Sequence, residues 1–271
     1  MNISSPSLPR FVAVDLDGTV LLEDQGISPR TLAAFELLRA RGVTPLVATG
    51  RPRRSSLAWA VKLGVGAGLV CHNGAVVYSA TAAILAETTI PEEAARRLVT
   101  IARSIPNHFH GFVGDEWLFE AVHPGTARYE HRSGFPGRQV DFDRIPRLGF
   151  HKAMFVATEE DAPGIAARLR IELEGEIEVY PSGSGFVEVV ASGIGKGKSL
   201  SILVESLGGS MAEVLAFGDA WNDEDMLLRA GVGVAMGNAP AELRERVGRV
   251  ALPIGQDGVA AWLEALFSSP S

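Results

Sequence analysis

Short, unbroken apolar runs alternate with amphipathic stretches over the first part of the chain. Phe11–Val14 is apolar at every position, as expected of a strand buried on both faces. Ser28 and Pro29 then supply an N-cap and a first-turn proline for a helix through Leu32, Phe35, Leu37 and Leu38, which Gly42 stops. Val43–Ala48 predicts a second strand, Pro52 opens a helix ending at Gly64, and Leu69–Cys71 predicts a third, shorter strand. The rhythm returns from Met211. Strands are predicted at Val214–Phe217 and Val232–Met236, and helices from Asp223 to Arg229 and from Pro240. A short strand at Val250–Leu252 and a helix from Gly258 to Phe267 follow. Alternation of this kind predicts an α/β fold, a Rossmann-like parallel sheet with helices on both faces.

The middle of the chain follows another pattern. One helix is predicted, Pro91–Ser104, among strand-like pieces at Phe112–Val113, Trp117–Val122, Lys152–Ala157, Ile177–Tyr180 and Phe186–Val190. Loop residues are frequent, and five of the six histidines fall here. The expected organisation is therefore a core made of residues 1–81 and 190–271, with a smaller α+β domain, 82–189, inserted between its halves.

Bulk properties narrow the classes. No apolar run reaches the roughly 18 residues that span a bilayer, so no membrane segment is expected. Met1–Pro6 lacks a basic and then apolar opening and does not read as a secretory signal. One cysteine, Cys71, cannot form an internal disulfide, which suits a reducing, cytoplasmic setting. The net charge of −7 argues against nucleic acid as partner. It does not argue against a small phosphate, which needs only a local positive pocket. Oligomeric state is not legible.

Candidate chemistry begins where the strands stop. Phe11–Val14 ends in Asp15 and Asp17, and Val214–Phe217 ends in Gly218 and Asp219, followed by Asn222 and Asp223. Ligands of open α/β sheets bind outside the carboxyl ends of the strands. If these two strands are neighbours, four carboxylates converge, and side chains two apart share a face. Such crowding raises carboxylate pKa values, and a hard divalent cation such as Mg²⁺ relieves it. Alone, Asp-Leu-Asp-Gly serves equally as the turn that closes a strand. Two further strand ends carry complementary groups. Thr49, Gly50 and Arg51 precede the helix at Pro52, where an anion is favoured, although Thr49 also fits a plain cap. Lys196 lies in a glycine-rich turn after another apolar run, suited to balance charge and hold a phosphoryl oxygen.

Together these pieces resemble the haloacid dehalogenase-like hydrolases, and within them the Cof-type phosphatases with a large α/β cap. Four motifs carry the resemblance: Asp15-Leu16-Asp17-Gly18-Thr19, Thr49-Gly50-Arg51-Pro52, Lys196-Gly197 and Gly218-Asp219 with Asn222-Asp223. The segment around Asn73-Gly74 and the turn Asp257-Gly258-Val259 also look like that group. The resemblance implies a Mg²⁺-dependent phosphatase of small phosphorylated metabolites. Asp15 would be the nucleophile that forms an aspartyl phosphate, and Asp17 the general acid and then base. Mg²⁺ would be held by Asp15, the Asp17 backbone carbonyl and Asp219, supported by Asn222 and Asp223. Thr49 and Lys196 would grip the transferring group, with Gly18, Gly50, Arg51 and Asn73 around the phosphate. The inserted domain would cover the site and select the leaving group. Ala220 and Trp221 depart from the family pattern, in which serine is common at the first position, and make that loop more apolar.

Three rivals follow from the same residues. A phosphosugar mutase of the same superfamily needs the same core. A Walker-type nucleotide site at Lys198-Ser199 requires a glycine where Ser192 stands. A phospho-acceptor module shares the acidic cluster but is shorter and lacks an acid such as Asp17. His108, His110, His123 and His131 show no regular ligand spacing, so they read as exposed or substrate-facing. Arg128, Tyr129, Arg132 and Arg138 are the groups available to a substrate in that domain. Trp59 and Trp262 fit helix core positions.

Overall fold

The computed structural model describes residues 8–22, 25–181 and 185–268, so the reading of Met1–Pro6 falls outside the described residues. In chain order the first elements are β1 (Phe11–Val14), α1 (Pro29–Ala40), β2 (Thr44–Ala48), α2 (Arg53–Lys62), β3 (Gly68–Cys71), β4 (Val76–Ser79) and β5 (Ile84–Glu87). Next come α3 (Glu92–Arg103), β6 (His108–Val113), β7 (Glu116–Phe119), α4 (Pro124–Ser133) and β8 (Arg138–Gln139). They are followed by β9 (Lys152–Val156), α5 (Ala162–Glu172), β10 (Ile177–Pro181) and β11 (Phe186–Ala191). The last are α6 (Lys196–Ser206), β12 (Val214–Gly218), α7 (Glu224–Arg229), β13 (Val232–Ala235), α8 (Ala241–Val247) and α9 (Gly258–Ser268).

The chain divides into two compact units. One comprises the residues through Gly50, Ser56–Ala86 and those from Gly195 onward; the other comprises Arg51–Ser55 and Glu87–Ile194. The first is built on a sheet ordered β13-β12-β1-β2-β3-β4-β5, parallel from β13 to β3, with β4 antiparallel to β3. The unbroken apolar run of β1 has a direct cause. Val12 and Val14 pack with Phe35 and Leu38 of α1 and Leu263 of α9. Phe11 and Ala13 face the other way, toward Leu200 and Leu203 of α6 and Met226 of α7. Both faces are covered, so neither set can be polar. Trp59 and Trp262 are partly buried against the first of these cores.

From β1 the chain runs outward to β2 and β3, then returns on the other side at β12 and β13. The reversal lies between β1 and β12, the crevice where α/β sheets receive ligands.

The second unit holds a sheet ordered β10-β11-β9-β6-β7-β8, antiparallel except for the pairing of β7 with β8. One face carries α3 and α5 over a large core that includes Leu98, Phe109, Phe155, Ile165 and Leu169. The other carries α4 and an aromatic cluster of Phe112, Trp117, Phe119, Tyr129, Phe135 and Phe186.

Three sequence expectations are corrected. The middle holds α4 and α5 besides α3, because both extra helices carry in their first turns Pro and Gly, which read as turn residues. In α4 the cap is unusual: His123 Nδ1 accepts the Gly125 N–H, and Thr126 Oγ1 accepts the His123 N–H. Val250–Leu252 is no strand; Val250 makes one isolated bridge to Ala235, and Pro253 lacks the N–H that a continuing ladder would need. His108 and His110 are buried, not exposed, within the aromatic cluster on β6. No helix among the described residues is long and apolar enough to cross a membrane.

Candidate active site

Register brings the acidic strand ends together. Val14 pairs with Phe217 across β1 and β12, and the Asp15 N–H donates to the Phe217 carbonyl at 3.1 Å. Asp15 and Asp219 therefore leave adjacent strands side by side. After Asp15 the backbone turns sharply, the Leu16 carbonyl accepting N–H groups from Thr19, Val20 and Leu21. Gly18 sits at φ +76°, and a Cβ there would drive into the Asp219 carboxylate, so only glycine lets the two loops close. Thr19 Oγ1 crosses the gap and donates to Asp219 Oδ1 at 2.9 Å.

Lys196 opens α6 and is fully buried. Its Nζ donates to Asp15 Oδ1 at 2.8 Å and Asp223 Oδ1 at 2.6 Å. Asp223 Oδ2 accepts the N–H groups of Asp219 and Ala220, both at 3.0 Å, so this buried carboxylate fixes the β12 loop as well as the ammonium. Lys198, by contrast, is exposed. The Gly197 and Lys198 N–H groups are already taken by Asp225 Oδ2, at 3.0 and 3.1 Å, which leaves no open nest for nucleotide phosphates.

The β2 and β3 exits are tied in by backbone and amide contacts. Thr49 is buried; its carbonyl accepts the Asn73 N–H at 3.1 Å. His72 and Asn73 both adopt left-handed φ, +52° and +56°, and Asn222 Nδ2 donates to Asn73 Oδ1 at 2.9 Å. Two consecutive non-glycine residues in that region store strain that the surrounding contacts must hold. Gly50 follows Thr49 directly, whereas Arg51 begins the short segment grouped with the second unit.

One oxygen each from Asp15, Asp219 and Asp223 lies within 4.8 Å of the others. Asp17 is half-buried and stands outside this trio, close enough to raise both Asp15 and Asp219 by repulsion. Burial pushes the Asp15 carboxyl well above its usual range; Lys196 opposes this, and Asp223, Asp219 and Asp17 reinforce it. Asp219 is pushed up to about 7, first by burial and then by Asp223. One ammonium does not balance four carboxylates. An all-oxygen donor set with this surplus of negative charge fits a hard divalent cation.

Two contributors escaped the sequence reading. Asp225 holds the start of α6, and Asn238 links Gly18 to Asp219. The only signal for either was an acidic or amide residue beside a helix start.

The haloacid dehalogenase-like hydrolase family model matches residues 12–263. Over 265 residues the chain is 32% identical to the HMP-PP phosphatase of Serratia proteamaculans, covering 96% of each. The HMP-PP phosphatase of Yersinia pseudotuberculosis is likewise 32% identical over 264 residues, again 96% of each. A haloacid dehalogenase-like hydrolase from Bacteroides thetaiotaomicron superposes with a TM-score of 0.83 at 29% identity, over 96% of this chain and 100% of that one.

Proposed function

Because the chain belongs to the haloacid dehalogenase-like hydrolases, we propose that it is a Mg²⁺-dependent phosphatase of small phosphorylated metabolites, acting through an aspartyl phosphate on Asp15. The observation that carries this reading is the arrangement around Asp15. Lys196 occupies Oδ1, while Oδ2 accepts no hydrogen bond among the described residues, beside Asp219 and Asp223 at the reversal point of the sheet.

In the first step Asp15 Oδ2 attacks phosphorus as the bond to the leaving oxygen breaks, and Asp17 gives that oxygen its proton. In the second, Asp17 takes a proton from water, whose oxygen forms the new bond to phosphorus. The Asp15–phosphorus bond breaks and inorganic phosphate leaves. A covalent carboxylate divides one difficult displacement into two, and phosphoryl transfer asks mainly for alignment and charge stabilisation. Lys196 opposes the rise that burial and the neighbouring carboxylates impose on Asp15, and it faces the charge that builds on the transferring oxygens. Thr49, Gly50, Asn73 and Asn222, all of the first unit, would form the neighbouring wall. The Asp15 and Asp219 carboxylates and the Asp17 carbonyl would hold Mg²⁺, with Asp223 behind them; bound there, it supplies Lewis-acid polarisation of a phosphoryl oxygen.

The relatives are named for HMP-PP, and a sugar phosphatase shares the fold at 21% identity. A small phosphorylated metabolite is the class common to both. Selection among leaving groups is assigned to the second unit as a cap, corresponding to the expected insertion 82–189. A cytoplasmic setting suits the buried thiol of Cys71, the one cysteine of the sequence.

Asp15→Asn should abolish Mg²⁺-dependent phosphate release from p-nitrophenyl phosphate, with the circular dichroism spectrum unchanged. EDTA should silence the wild type. Undiminished turnover by Asp15→Asn sinks the reading; an isomerised sugar phosphate without free phosphate would turn it to a mutase.

A further inference from the structure

We propose that Asn238, in the loop after β13, is a positioning residue for the divalent cation, its carboxamide aiming the Asp219 carboxylate before the ion arrives. The inference rests on the metal-dependent reading above. It starts from a three-way contact. Asn238 Nδ2 donates to the Gly18 carbonyl at 2.9 Å and stands 3.4 Å from Asp219 Oδ2, while Oδ1 accepts the Ile254 N–H at 2.9 Å. These partners fix which way the amide points. The Ile254 N–H can only donate, so the amide oxygen must face it, and the NH₂ group must face the two oxygens.

The consequence for Asp219 follows from counting its contacts. Thr19 Oγ1 donates to Oδ1 and Asn238 Nδ2 approaches Oδ2, so both carboxylate oxygens are oriented. Both donors are neutral. They fix direction without supplying a positive charge that would compete with a cation, whereas Asp15 is held by an ammonium. The same amide pins the carbonyl of Gly18, whose left-handed turn lets Asp219 sit against it. One side chain thus joins the exits of β1, β12 and β13. Asn238 is itself exposed, so removing it empties no core space. Partners that orient a metal-holding carboxylate from behind typically change affinity by about 10–100-fold. The longer 3.4 Å approach points to the lower end of that range.

Asn238→Ala and Asn238→Leu test this; the first shortens the side chain and the second keeps its size without polarity. Mg²⁺ alone is titrated into each purified full-length variant by calorimetry, and the rise in melting temperature with Mg²⁺ is recorded beside wild type and Asp219→Asn. The expected result is a dissociation constant for Mg²⁺ raised about tenfold in both variants, with a smaller melting shift and turnover largely recovered at saturating Mg²⁺. Mg²⁺ affinity within twofold of wild type overturns the proposal. Equal loss of melting temperature with and without Mg²⁺ also overturns it, since that marks a structural tie to Ile254 only. If wild type binds no Mg²⁺, or Asp219→Asn binds it equally well, the metal-dependent reading itself has failed.

Discussion

Lys196 and its two carboxyl partners show how single side chains tie the candidate site together. An ammonium with no exposure, 2.8 Å from Asp15 and 2.6 Å from Asp223, is tolerated only because two carboxyl groups accept its hydrogen bonds at close range. The two carboxylates hold the Lys196 ammonium well above the usual lysine range despite its burial. Removing one partner of a buried pair leaves the other charge uncompensated, at a cost of about 3–5 kcal/mol. Lys196→Met should therefore lower the melting temperature by several degrees and reduce turnover by about a hundred- to a thousandfold. Thermal melts and phosphate release would check both; near wild-type turnover would deny Lys196 its role. At this scale the sequence was largely legible. Asp15, Asp219 and Lys196 each follow an apolar run, and that alone marks a strand end. Asn238 was not legible, because an amide near a helix start is ordinary and its partners lie on other strands.

Elements were legible where a hydrophobic period dominated and obscure where special residues interrupted it. β1, β2, β12 and α1 follow their apolar patterns, whereas α4 and α5 carry Pro and Gly in their first turns and hid behind turn chemistry. On β6 the alternation His108, His110, Phe112 places three rings on one face of the second unit. Among the described residues both His110 nitrogens lack a hydrogen-bond partner, and His108 keeps one hydrogen bond, to Thr126. Burial lowers His108 to about 4, with His123 adding to it, and holds His110 well below the usual imidazole range, with His108 and Lys152 reinforcing it. In the unfolded chain both take up protons near their ordinary value, about 6.5. The unfolded state thus binds more protons as pH falls from about 6.5 toward 4, and stability falls across that window. Denaturant midpoints measured at pH 7.5 and 5 should differ less for His110→Phe than for wild type. An unchanged pH dependence would show that His110 contributes nothing to it.

For the whole molecule, the surplus of carboxylates implies linkage between metal and stability. A ligand that binds only the folded state at a hundred times its dissociation constant adds about 2.7 kcal/mol. Mg²⁺ at such a concentration should raise the first unit's melting temperature by roughly 5–10 °C, measured calorimetrically against an EDTA-treated sample. Absence of any shift would speak against an ion among these carboxylates.

Taken by itself, the sequence determined that strands exist and what stands at their ends, because apolar periodicity and glycine or proline punctuation are local properties. It also carried the motifs by which the family is recognised. Only the tertiary structure decided that β12 lies beside β1, which places Thr19 against Asp219 from 200 positions away. It alone revealed that Asp223 faces Lys196, that Asp17 stands apart from the three clustered carboxylates, and that Asn238 reaches the same corner. Periodicity says which face of a strand is buried, but not which strand is its neighbour. That choice is made by long-range packing, and the convergence of charges follows from it.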